Sequence, residues 1–290
     1  MIFVQREDSP SILDLTDNNS KGNAELQEAI SHFSTESDGF SFSVYADNTV
    51  KKKLESMFSE KCAFCESCLN IVGYGDIEHF RPKTAIKHIG SKILNYPGYY
   101  WLAMSWENLL LSCSRCNRAH KQNYFPLVNE LLRNKMHTDQ NVEEPLLINP
   151  CDEDPEAYLE YTNQGVIKDK DSSKGEISIK IYGLYRPNLT EQRRSLATDI
   201  ISRITQIKDY LKAINFYRRY PEDPESEHNI NADISNIVTV YRSIKDQLQN
   251  KEKPYRAMVK QLTNDFMEEY SEQLDQLENM YSMRESLITS

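Results

Sequence analysis

Two Cys-x2-Cys pairs, Cys62–Cys65 (CAFC) and Cys113–Cys116 (CSRC), stand on either side of residues 66–112. Such pairs occur as redox dithiols or as halves of a four-ligand metal site, and each use demands a different scaffold. Compartment bears on the choice. No apolar run approaches the length that spans a bilayer, and the N-terminal MIFVQREDSP lacks the apolar centre of a signal peptide, so the chain is expected in the cytoplasm. Thiols stay reduced there, so six cysteines, four of them in two pairs, favour metal over disulfides. Neither pair sits at the turn of a recognisable βαβ unit, which weakens the redox reading. The two pairs together fit a tetrahedral Zn²⁺ site of four cysteines, each pair forming one knuckle. Cys65-x2-Cys68 offers an alternative knuckle with the same spacing; Cys62 with Cys65 is the preferred reading, with Cys68 a spare thiol.

The segment between the knuckles must then carry something. It contains GDIEHFRPK (75–83), in which Glu78 and His79 set a carboxylate beside an imidazole. In an extended segment adjacent side chains diverge, so one can hold a cation while the other reaches a water molecule. Phosphodiester hydrolysis needs both: a metal ion to offset developing charge and a base to take a proton from the attacking water. A histidine with an unperturbed pKa of about 6.5 is mostly neutral at physiological pH and suits the base. Most isolated Glu-His pairs are ordinary surface residues, so the neighbours decide. Asn117 directly follows Cys116, at the start of an expected helix, and its amide oxygen suits Mg²⁺ or Mn²⁺. His120 and Lys121 follow at helical spacing on roughly the same face. Arg81, Lys83, Arg118, His120 and Lys121, with Arg115 beside them, could hold substrate phosphates. Asn108, just before the second knuckle, could bind backbone in the loop that carries His79.

The net charge of −10 argues against a protein that simply coats nucleic acid. Between His79 and Lys135, however, nine Lys and Arg face only two acids, Glu107 and Glu130. Chance clustering on a solvated face is the bland explanation; the coincidence with the cysteine-rich segment favours a functional one. Tyr99, Tyr100, Trp101 and Trp106 read first as core around a small zinc module and only second as a base-stacking surface. Asp152, Asp154 and Glu156 resemble a metal site, but Asp154 followed by Pro155 and Glu156 reads as a helix start. His88 reads as a surface residue.

Along the chain, residues 1–50 read as a partly irregular arm with a helix over 23–33. Residues 50–58 read as a short helix, and Gly73 and Gly75 as turn residues before a strand. Residues 101–113 should begin helical and end extended. YLEYT and ISIKI alternate as strands of a small sheet, with Gly165 in a turn. After Pro187 the apolar stripe Leu196, Ile200, Ile204, Ile207 and Leu211 predicts a helix capped at Thr190, and further helical stripes follow.

The order Cys-x2-Cys, Glu-His, Asn, Cys-x2-Cys-Asn resembles that of HNH endonucleases. The stretch from Cys62 to Pro126, with EHFRPK, WENLLLSC, CNRAHK and YFP, and the later INPCDEDPEAYLEYTNQG and IKIYGLYRPNLTEQR, is similar to the HNH proteins of anti-phage defence operons: the PtuB-like nucleases of Septu systems and retron-associated HNH proteins. The resemblance covers most of residues 50–195. It implies an α+β fold: a zinc-braced ββα-metal core at 51–135, after an N-terminal arm at 1–50. Residues 136–290 would form a small strand-containing region and then a mainly helical C-terminal region.

By the same resemblance His79 would be the general base, Glu78 and Asn117 ligands of the catalytic cation, and Asn108 the structural asparagine. Cys62, Cys65, Cys113 and Cys116 would hold structural zinc. Glu78 replaces the commoner Asp and Asn117 the commoner final His; both keep an oxygen ligand, which favours Mg²⁺ or Mn²⁺. The implied activity is metal-dependent hydrolysis of DNA, with RNA or tRNA as an alternative polymer. The implied partners are a PtuA-like ATPase of the same operon and, in retron systems, a reverse transcriptase with its non-coding RNA/DNA. The rival from another class is a non-catalytic zinc-binding adaptor.

Overall fold

The computed structural model describes residues 1–72 and 74–289; Gly73, expected as a turn residue, lies outside them, as do the side chains of residues 72, 285, 288 and 289. The fold mixes α-helices with small two-stranded sheets. Helix α1 (Lys21–His32) starts where the Ser20 hydroxyl accepts the Asn23 N–H at 3.0 Å, and α2 (Asn48–Met57) where Asp47 accepts the Thr49 N–H at 2.8 Å. Helix α2 buries Val50, Leu54 and Met57, an i, i+4, i+7 stripe, and a short α3 (Leu69–Val72) follows the first cysteine pair.

Strand β1 (Gly75–His79) contains Gly75, so this glycine lies inside the strand and not in the turn expected of it. Its Cα carries only hydrogen because a Cβ there would lie 2.7 Å from Leu69 and 2.8 Å from Leu111. A hairpin of β2 (Ile86–Lys87) and β3 (Leu94–Asn95) follows. The segment 101–113 delivers two 3-10 turns, Tyr100–Leu102 and Trp106–Asn108, and then β4 (Leu109–Cys113), with all five strand residues buried. Strand β4 pairs antiparallel with β1 in the register Gly75↔Cys113, Glu78↔Leu110 and His79↔Leu109.

After β4 the chain winds as a π-helix over Arg115–Lys121, closed by the Gln122 N–H donating to the Asn117 carbonyl at 2.8 Å. An i→i+5 bond adds about one residue to the turn. Side chains that would share a face at α-helical spacing are thereby turned apart, so Asn117, His120 and Lys121 do not point the same way.

Strands β5 (Leu159–Tyr161) and β6 (Ile167–Asp169) form the third pair, with Gly165 at φ +69° in the turn between them. The ISIKI segment, expected as a strand, belongs to helix α4 (Ser173–Ile181). Ile177 and Ile181 are also four apart, the Ser172 side chain caps the Gly175 N–H, and Gly175, Ser178 and Ile181 are buried at helical spacing. The buried Ser178 hydroxyl accepts the Ile148 N–H at 2.9 Å. Helix α5 (Pro187–Tyr217) begins three residues before the expected Thr190 cap, because proline at the first helical position needs no N–H partner. Helices α6 (Pro224–Gln249) and α7 (Arg256–Thr289) follow. Among the described residues no helix is long and apolar enough to cross a membrane.

The chain forms two compact units, one of residues 1–160 with 167–189, the other of residues 161–166 with 190–290. The first contains every residue singled out above as a site candidate. Residues 1–50 belong to it: α1 packs Ala29 and Phe33 on Tyr100, whose ring stacks on Phe33 at 4.5 Å. Tyr99, Tyr100 and Trp106 are buried, so these rings are core. Asp154 accepts the Glu156 N–H at 3.0 Å at a 3-10 turn beginning with Pro155, a helix start as expected. The second unit is helical, its core made by Ile207, Leu211, Ile214, Ile237, Tyr241, Ile244, Phe266 and Leu274.

Ile237 and Ile244 are fully buried there. Ile237→Ala is expected to lower the stability of the helical unit by about 2–5 kcal/mol, the usual loss for an aliphatic side chain cut to alanine. A urea titration followed by circular dichroism measures it; a change below about 0.5 kcal/mol would contradict the packing described.

Candidate functional site

The four paired cysteines converge. The Sγ atoms of Cys62, Cys65, Cys113 and Cys116 all lie within 4.8 Å of one another, and all four side chains are buried. Zinc–thiolate bonds of about 2.3 Å in a tetrahedron put sulfurs roughly 3.8 Å apart; Cys65 and Cys113 are 3.9 Å apart. The group therefore fits a metal such as zinc. Cys68, half-buried, stands outside the group, which decides between the two possible knuckles. A hydrogen bond from Ala63 N–H to the Leu111 carbonyl at 2.8 Å fastens the first knuckle to β4, and the Cys116 N–H points at the Cys113 sulfur at 3.5 Å. The Arg186 guanidinium lies 3.4 Å from the Cys116 sulfur and 4.0 Å from that of Cys113. Hydrogen bonds from the Cys113 and Cys116 thiols, with the Arg186 charge, hold the Cys65 thiol well below its ordinary pKa. No spacing rule points to Arg186, which arrives from seventy residues beyond Cys116.

Beside this clamp is a cleft of about 580 Å³ whose lining includes Glu78, His79, Lys83, Asn117 and Arg118. Four chain segments meet there: the stretch from Tyr45 to Lys51, β1, the loop after it, and the π-helix with the two residues that follow it. His79 is 5% exposed. Its Nε2 lies 3.0 Å from the Ala103 carbonyl oxygen, which can only accept, so Nε2 carries the proton and Nδ1 keeps a lone pair. The Tyr45 ring packs edge-on against the imidazole at 4.6 Å. Burial, with the positive charge of Lys83, pushes the His79 pKa well below its ordinary value. The ring is neutral at physiological pH.

Asn108 holds the loop that follows His79. Its Oδ1 accepts the Arg81 N–H at 2.7 Å; its Nδ2 donates to the carbonyls of Arg81 and Leu102, each at 3.0 Å. The second carbonyl adjoins Ala103, the residue that orients His79. One buried amide thus ties together both segments that position the imidazole. The loop also requires Gly98, where a Cβ would lie 2.4 Å from the Pro82 carbonyl and 2.7 Å from the Ala85 nitrogen.

Glu78 is 6% exposed and pairs with Lys121 at 2.6 Å through one carboxylate oxygen. Burial raises its pKa against the opposing pull of Lys121. Lys121, fully buried, also donates to the His79 carbonyl at 2.8 Å. It braces β1 from behind and does not line the cleft. Two more residues expected at phosphates are held elsewhere. Arg81 is paired with Glu143 and lies over the Phe125 ring at 4.7 Å, facing a separate cavity. His120 sits against Gly183, which at φ +63° leaves room for its ring. Lys83 and Arg118 do line the cleft, Arg118 making two hydrogen bonds to Asp76 at 2.6 and 2.8 Å. His88 is part-exposed, 3.6 Å from Glu130.

Sequence reasoning missed Asp76, Tyr45 and Lys51, which also line the cleft. Asp76 had a signal: it stands two residues before Glu78, and a strand puts such residues on one face. Tyr45 had none, since its approach depends on Glu25, whose buried carboxylate accepts the Ser43 and Val44 N–H groups and holds that turn.

No family model matches the chain. It is 46% identical over 287 residues to the Septu protein PtuB of Bacillus mycoides strain KBAB4, covering 99% of this chain and 97% of that one. It is 27% identical over 175 residues to the Septu protein PtuB of Bacillus thuringiensis, covering 60% of this chain and 56% of the other. Over 153 residues, 52% of this chain, it is 29% identical to the Septu protein PtuA of the same B. mycoides strain, of which it spans 21%.

The sulfur cluster makes a direct prediction. The purified chain should carry about one zinc per molecule by elemental analysis. Cys113→Ser should carry none and lose cooperative unfolding of the first unit, since structural zinc contributes folding free energy directly. Cys68→Ser should bind zinc as the parent does; loss of metal there would restore the alternative knuckle.

Proposed function

We propose that this chain, which belongs to the Septu PtuB family, is a metal-dependent nuclease of the HNH kind. It would hydrolyse phosphodiester bonds in DNA as the effector of an anti-phage defence system. The observation that carries the reading is the meeting of a neutral, oriented imidazole with hard oxygen donors and cations in one cleft. A purely structural zinc module has no need to bury His79 with one nitrogen spoken for and the other holding its lone pair.

In this reading His79 Nδ1 takes the proton from the attacking water. The Ala103 carbonyl keeps the tautomer and stabilises the imidazolium formed, as an acceptor bonded to the opposite nitrogen does. Lys83 and Arg118 contact the phosphate flanking the reaction. Glu78, with one carboxylate oxygen not engaged by Lys121 at 2.6 Å, and Asn117 would hold a Mg²⁺ or Mn²⁺ ion. The donor set fits such an ion, being oxygen only and without thiolate. When bound, it would supply charge stabilisation to the phosphate and leaving oxygen. Asn108 is a positioning residue, acting through the Arg81 backbone and the Leu102 carbonyl.

The partner in this reading is a PtuA-like ATPase. Similarity to a Septu PtuA, beside that to Septu PtuB proteins, supports assigning the chain to such a system.

His79→Ala in the complex with that partner is expected to lower cleavage by about 10²- to 10⁴-fold with Mg²⁺ or Mn²⁺, the usual loss on removing a general base. Melting temperature and zinc content should be retained. Gel assays of plasmid and oligonucleotide cleavage measure the rate. Equal activity of parent and variant, or an inactive parent with the partner present, would leave the zinc scaffold as the better account.

A further inference from the structure

One tyrosine that lines the cleft, Tyr45, and two that adjoin its lining residues in the chain, Tyr74 and Tyr124, each have a lysine over the ring. Lys83 lies 4.4 Å from the ring centroid of Tyr45, Lys87 4.8 Å from that of Tyr124, and Lys51 6.0 Å from that of Tyr74. These rings are distinct from the buried aromatic core around Tyr99 and Tyr100. Tyr74 is 91% exposed and adjoins Gly75, at the first residue of β1. Tyr45 and Lys83 both line the cleft beside His79, at the other end of that strand. Tyr124 follows the cleft residues Gln122 and Asn123, and Lys87 donates both to the Gln122 side chain at 3.0 Å and, through its N–H, to the Asn123 carbonyl at 2.9 Å. Strand β1 is about 13 Å long at roughly 3.3 Å per residue, so the pairs are spread along the cleft and not gathered at one point.

We infer that the cleft takes a single-stranded nucleic acid, its bases stacking on Tyr74, Tyr45 and Tyr124 and its phosphates held by the paired lysines. The inference rests on the nuclease reading and narrows its substrate. Alternating aromatic faces and cations is the chemistry by which single strands are bound without sequence readout, because every base has a π-face and every linkage a charge. The charge is complementary as well, since Lys51, Lys83, Lys87 and Arg118 outnumber the carboxylates Asp76 and Glu78 here in a chain of net charge −10.

The test uses the full-length His79→Ala chain, so that binding is read without cleavage. Fluorescence anisotropy is measured with one labelled sequence as single-stranded DNA, as single-stranded RNA and as blunt DNA duplex. The expected result is that a single strand binds at least about tenfold tighter than the duplex. The DNA and RNA arms then say which sugar is preferred. Tyr74→Ala and Tyr124→Ala should each weaken single-strand binding by about five- to a hundredfold, and Tyr74→Phe should restore it, since stacking needs the ring and not the hydroxyl. Lys87→Ala should reduce the salt slope by about 0.7. Tyr74 is too exposed for its loss to unfold the chain. Equal binding of duplex and single strand, no effect of either alanine change, or attachment of the partner ATPase and not nucleic acid through these rings would each overturn the inference. Cleavage by the parent chain is scored separately: activity on duplex without single-strand preference sinks this inference and leaves the nuclease reading standing, whereas single-strand binding without cleavage does the reverse.

Discussion

The pairing of β1 with β4 is the contact on which the rest of the first unit depends. Strand β1 carries Glu78 and His79; β4 ends in Cys113, opposite Gly75. A slip of one residue would turn each of the two side chains to the face opposite its own, so the register needs anchors at each end. At the Cys113 end the anchor is the sulfur group, fastened again by the Ala63 to Leu111 hydrogen bond. At the His79 end it is Asn108, which heads β4 and grips the backbone just past β1. Losing that amide would leave buried backbone groups without partners, at about 1–3 kcal/mol each, and would also free the imidazole.

Electrostatics follow from this frame. Lys121 and Arg118 both come from the π-helix and both meet carboxylates of β1, Glu78 and Asp76. A buried pair such as Glu78–Lys121 adds little net stability, because desolvation cancels much of the attraction. It does aim the carboxylate and opposes the burial that raises its pKa. Part of the basic surplus of the segment 79–135 is thus consumed in ion pairs, those of Arg81, Arg118, Lys121 and Arg133. Arg81 answers Glu143, Arg133 answers Glu130, and acids from outside the segment supply much of the balance. What faces the cleft is a smaller set, and some of it comes from residues before position 60.

The meeting of the four cysteines was legible because two Cys-x2-Cys pairs in one chain favour a shared ion, and the grip of Asn108 on the backbone past His79 was legible from its place just before the second knuckle. The amphipathic stripes of α1, α2 and the C-terminal helices were legible because burial repeats with the helical period. ISIKI was not, since a five-residue segment with isoleucine at alternate positions also puts two of them four apart, and only the cap at Ser172 breaks the tie. The segment after Cys116 misled in a subtler way. Its helical character was readable, but one extra residue per turn sent Lys121 into the core and His120 toward Gly183, while Asn117 stayed at the cleft.

The sequence alone determined the chemistry available to this chain: four thiolates able to hold one ion, a carboxylate and an imidazole between them, and a surplus of cations nearby. Only the tertiary structure decided which of those groups share a space. Arg186 on the sulfurs, Tyr45 on the His79 ring, and the carboxylates that take Arg81, Arg118 and Lys121 all act across long sequence separations. The physical reason is that charge pairing and ring contacts depend on distance in space, which a residue pattern constrains only within one element.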